Sequence, residues 1–72
     1  MTISKGVKEF LELARTGANV EVDAAPYTAV QLKSIAKELR DGAHMRIINT
    51  HDKTAIELAG VAQAKPGQII FA

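Results

Sequence analysis

Three glycines, Gly17, Gly42 and Gly67, stand at equal intervals of 25 residues in a chain of 72. Self-similarity at a fixed period of this length marks a chain built from repeated supersecondary units, each too small to bury its own apolar face. After each glycine comes a short apolar-rich run: residues 18–23 (ANVEVD), 43–49 (AHMRIIN) and 68–72 (QIIFA). Before each comes a stripe at helical spacing. Val7, Phe10, Leu11 and Ala14 form the first, and Leu32, Ile35, Ala36 and Leu39 the second. Leu58, Val61 and Ala62 form the third, one residue closer to their glycine. Apolar positions recurring at i, i+3, i+4 and i+7 give a helix that packs on one side only.

The helix starts repeat as well. Residues 28–31 (TAVQ) and 54–57 (TAIE) both fit a capping box, in which the Thr hydroxyl accepts a backbone N–H and the Gln or Glu side chain reaches back. Tyr27 stands where a hydrophobic staple residue would meet Leu32. The first unit offers only Thr2 or Ser4 as caps, with no acidic partner at the right spacing. Each helix is expected to stop just before its glycine, which closes helices in the left-handed conformation.

The expected fold is therefore α/β, running α-β-α-β-α-β in three repeats of about 25 residues. Residues 1–72 make a single domain, since domains seldom fall below about 50 residues. Strands joined by a helix run parallel, with right-handed crossovers. In the order 1-2-3 they form a small three-stranded parallel sheet with helices on one face, a solenoid-like layer. A 2-1-3 order would instead place helices on both faces. The layer is similar in outline to a leucine-rich-repeat arc, but the asparagine ladder and Leu-x-x-Leu-x-Leu signature are missing, and no family is assigned.

Helices on one face leave the other to alternate strand residues. Val20, Val22, Met45 and Ile47 are expected inward, and Asn19, Glu21, Asp23, His44, Arg46 and Ile48 outward. Glu21 and Arg46 share a repeat position and suit a cross-strand ion pair. In the third strand Ile69 and Phe71 point one way and Ile70 the other, so at least one large side chain joins Ile48 on the open face. Parallel sheets are almost always covered on both faces, and no segment of these 72 residues is left over to cover the second. The expected function is a small protein-interaction module, self-associating through the open face or the C-terminal edge strand, with Glu21, Arg46, Ile48, Ile70 and Phe71 as its interface. The expected partner is a second copy or another protein.

The alternative is a binder of a small anion at the loop between strand 2 and helix 3. Asn49, His51 and Lys53 would be its contacts, because anions favour helix N-termini at the carboxyl edge of α/β sheets. No glycine-rich phosphate loop supports it, and a polar turn capping a helix accounts for the same residues.

Other chemistry is poorly supplied. His44 beside Glu21 and Asp23 offers no enclosed metal or acid–base site, and Ser4 and Ser34 have no histidine at a readable spacing. The chain is expected to have no enzymatic activity, no catalytic or metal-ligating residues and no cofactor. Nine Lys and Arg against eight Asp and Glu leave a net charge of +1, which weighs against nucleic acid. Lys33, Lys37 and Arg40 form a basic stripe, but Glu38 and Asp41 interleave with it and only three aromatics are present. No apolar run approaches the ~20 residues of a membrane span, and the opening residues lack a signal-peptide pattern. With no cysteine as well, a cytoplasmic location is the expectation.

Overall fold

The amphipathic and alternating runs form six elements: α1 (Val7–Arg15), β1 (Val20–Asp23), α2 (Ala29–Lys37), β2 (Met45–Ile48), α3 (Ala55–Ala64) and β3 (Ile69–Phe71). The computed structural model describes residues 6–72. The three strands form one parallel sheet in the order β1-β2-β3. The helices lie in one layer on a single face of the sheet, with α2 packed between α1 and α3. Along β1 and β2 burial alternates strictly: Val20, Val22, Met45 and Ile47 are buried, while Glu21, Asp23 and Arg46 are exposed.

Register follows the glycine spacing only in part. Val20, Glu21, Val22 and Asp23 stand beside Met45, Arg46, Ile47 and Ile48, an offset of 25 residues. Met45, Arg46 and Ile47 stand beside Ile69, Ile70 and Phe71, an offset of 24. The third strand thus begins one residue sooner after its glycine. This places Ile70 on the open face beside Arg46, and Ile69 and Phe71 on the helix side.

Both capping boxes are complete. Thr28 Oγ1 accepts from Gln31 N while Gln31 Oε1 accepts from Thr28 N; Thr54 and Glu57 make the same reciprocal pair. At α1 the N-cap is Gly6 without a side-chain cap, and the candidate caps Thr2 and Ser4 lie outside the described residues. Tyr27 is half-buried against the core and meets Phe10 edge-on, with ring centroids 6.0 Å apart.

The glycines have positive φ, as expected, at 88°, 85° and 81°. Only Gly17 follows its helix closely, however. α2 stops at Lys37, and Gly42 sits in a later turn closed by Ala43 N donating to Arg40 O. α3 stops at Ala64, and Pro66–Gly67 form the centre of a turn closed from Gln68 N to Lys65 O. Proline then glycine with positive φ is the type II arrangement, so these two glycines turn the chain into a strand rather than cap a helix.

The stripes are not equally buried. Leu32, Ile35, Ala36 and Leu39 of the central unit are all buried, whereas only Ala14 of the first stripe and Val61 of the third are. The reason is geometric: α2 has a helix on each side, and α1 and α3 have one each.

Candidate interaction surface

The open side carries Glu21 and Asp23 of β1, His44 just before β2, Arg46 and Ile48 of β2, and Ile70 of β3. Glu21 Oε2 and Arg46 Nε lie 3.8 Å apart, both more than half exposed. At that separation they form a loose pair, of the kind worth less than ~1 kcal/mol. Asn19 Oδ1 accepts from His44 N at 2.8 Å, tying the approach to β2 onto the approach to β1. Asn19, Val20, Glu21, His44, Arg46 and Ile70 line a shallow hollow of about 400 Å³. Ile48 is half-buried rather than open.

The two edges of the sheet differ in chemistry. In β1 the even positions face β2, since Val20 N donates to His44 O and Ala24 N to Ile48 O. The outward backbone groups therefore belong to Glu21 and Asp23, whose charges guard the edge against pairing. In β3 Met45 N donates to Gln68 O and Ala72 N to Ile47 O. The same alternation turns the N–H and C=O of Ile69 and Phe71 to the free edge. That edge has no charge, no proline and no bulge, and it is flanked by Ile70 at 47% exposure and Phe71 at 39%. Of the five residues expected at an interface, Glu21, Arg46, Ile48 and Ile70 share the open face. Phe71 lies on the helix side, at the β3 edge.

The loop between β2 and α3 holds its three candidate residues apart. Asn49 and His51 are exposed, Asn49 with φ of 57°. Lys53 turns inward: its side chain is 8% exposed, and its Nζ donates to Ala24 O at 3.1 Å and to the Asp52 carboxylate at 3.2 Å. The hydrogen bond from Lys53 holds the Asp52 carboxyl below its ordinary pKa. Lys53 thus fastens two loops together, and its charge is engaged before any anion arrives. The basic stripe is also diverted, because Arg40 Nε donates to Arg15 O.

Sequence reasoning missed the side chains that lock the loops. Gln68 Nε2 donates to both Arg40 O and Ala43 O, and Lys53 reaches across 29 residues. Their signal is the position just before a strand or helix, which periodicity does not read. Among the described residues no cluster of His, Asp and Glu could hold a metal ion, and no helix is long and apolar enough to cross a membrane. No family model matches the chain, and no curated protein or solved structure shows significant similarity to it.

Proposed function

We propose that this chain is a protein-interaction module that pairs with a second copy of itself along β3. The observation that carries the reading is the contrast between the edges: β1 exposes the charged Glu21 and Asp23, while β3 carries only the uncharged Ile69, Ile70 and Phe71. Uncharged edge strands with free backbone groups are templates for further pairing, and two-fold closure is the commonest outcome for identical chains. An antiparallel β3 pair centred on Ile70 lets the outward groups of Ile69 and Phe71 bond reciprocally. It also sets Ile70 beside its own copy on the open face.

Stacking of two open faces is less favourable. A two-fold axis lying between the two faces, parallel to the sheets and across the strands, sets acidic β1 against acidic β1. An axis along the strands sets Arg46 against Arg46. The edge avoids both.

Light scattering over a concentration series up to about 1 mM, near the limit of useful specific affinity, tests the reading. The expected result is a monomer–dimer equilibrium. Because the Phe71 N–H faces outward, N-methylation of that nitrogen in a synthetic chain removes edge pairing but keeps the β2–β3 ladder. It is expected to leave a folded monomer, whereas Ile48→Glu keeps the dimer. A wild-type monomer throughout, or an N-methylated chain that still dimerises, overturns the reading.

A further inference from the structure

The size of such an interface points beyond β3. A stable two-fold interface takes about 800 Å² from each partner, roughly a sixth of the 4577 Å² surface of this chain. A strand of three residues does not supply that alone, and the element beside it is α3. Apart from Glu57 and Gln63, every residue of α3 is apolar, yet only Val61 is buried. Helices apolar all round are normally enclosed. The core takes in Val61 and Ala64 but not Leu58 or Ala62, which lie four residues apart, on one face of the helix. Ile56 is 86% exposed.

The sheet edge identifies the occupant. A two-fold axis normal to the sheet, the one that pairs β3 antiparallel, also sets α3 antiparallel to α3. Leu58 of each helix then stands opposite Ala62 of the other, so the half-buried flank of α3 meets its own copy through apolar side chains. Head-to-tail stacking would instead bring that flank to α1, where Glu9 stands beside the exposed Leu13, and would not close. Glu57 takes no part: its carboxylate accepts from Thr54 N in the capping box, on the side of the buried Val61.

Resting on the homotypic reading above, we infer that the dimer interface continues from β3 onto α3, through Leu58 and Ala62 of each helix. The partner is a second copy of this chain, and the assembly is a six-stranded sheet under one continuous layer of helices.

Introduced charge tests this without requiring a new ligand. Ala62→Glu and Ala62→Lys each set two like charges beside the two-fold axis of a homodimer, and each is expected to weaken dimerisation several-fold. An equimolar mixture of the two variants sets a carboxylate beside an ammonium across the axis, so it is expected to associate more tightly than either variant alone. Damage to folding does not mimic that recovery, because neither variant repairs the other's monomer. If the mixture associates no better than its components while the wild type still dimerises, α3 is outside the interface and only β3 pairing stands. If the wild type is monomeric, both readings fall. Masses rising beyond a dimer would show head-to-tail growth and overturn the two-fold arrangement.

Discussion

The ammonium of Lys53, at the start of α3, donates to the carbonyl of Ala24, which follows β1, across 3.1 Å. One side chain so joins the loops at the carboxyl ends of two adjacent strands. The Ala24 N–H is already given to Ile48 O, so Ala24 is held from both sides. Lys53→Met keeps the aliphatic stem and removes the donor, and is expected to destabilise the fold by about 1–3 kcal/mol, the range for losing a charged partner of a buried group. Lys37→Met, on the exposed face of α2, should stay within about 0.5 kcal/mol. Urea unfolding of the two variants measures the contrast.

Asp52 supplies the acid-sensitive part of the same lock. Its folded pKa lies below the ordinary 3.8 because Lys53 hydrogen-bonds and attracts the carboxylate. A group whose pKa is lowered by folding stabilises above its unfolded pKa and loses that contribution as pH falls through the folded value. The difference in stability between wild type and Asp52→Asn should therefore be constant well above pH 3.8 and shrink below it. Since the carboxylate is exposed, the effect should also fade with added salt. Denaturant titrations at several acid pH values follow it directly.

Two glycines offer opposite responses to one substitution. Gly42 has φ of 85°, and a Cβ there would meet nothing within 4 Å, so Gly42→Ala carries backbone strain alone, about 1–2 kcal/mol. Gly60 lies inside α3, and a Cβ there also meets nothing. Gly60→Ala is expected to stabilise by up to about 1 kcal/mol through helix propensity. Melting temperatures should move in opposite directions.

What could be read from sequence depended on how local its cause was. The capping boxes are set by residues three apart, and both appear as expected at Thr28 and Thr54. Strand faces follow from alternation, so the open positions of Glu21 and Arg46 were legible. The β3 offset was not, because the turn at Pro66–Gly67 decides it rather than the spacing of glycines. Phe71 therefore had no determined side until the strands were paired. Lys53 looked like an anion ligand because a helix start and a positive charge coincide there. Only the fold brings Ala24 within its reach.

Leucines at matching faces of α2 and α3 test whether the end of the layer is different from its middle. Leu32 is fully buried between neighbours, and Leu32→Ala should cost about 2–5 kcal/mol at any protein concentration. Leu58 is half-buried and outside the core, so Leu58→Ala should cost the monomer about 1 kcal/mol, in line with the smaller apolar area it covers. Pairing through α3 adds a second effect. Association stabilises only the folded state, so the wild-type melting temperature should rise with concentration. The Leu58→Ala chain should lose most of that rise, and the gap between the two should widen as concentration increases. Calorimetry on dilute and concentrated samples separates the cases: a gap independent of concentration would make Leu58 a residue of its own monomer alone.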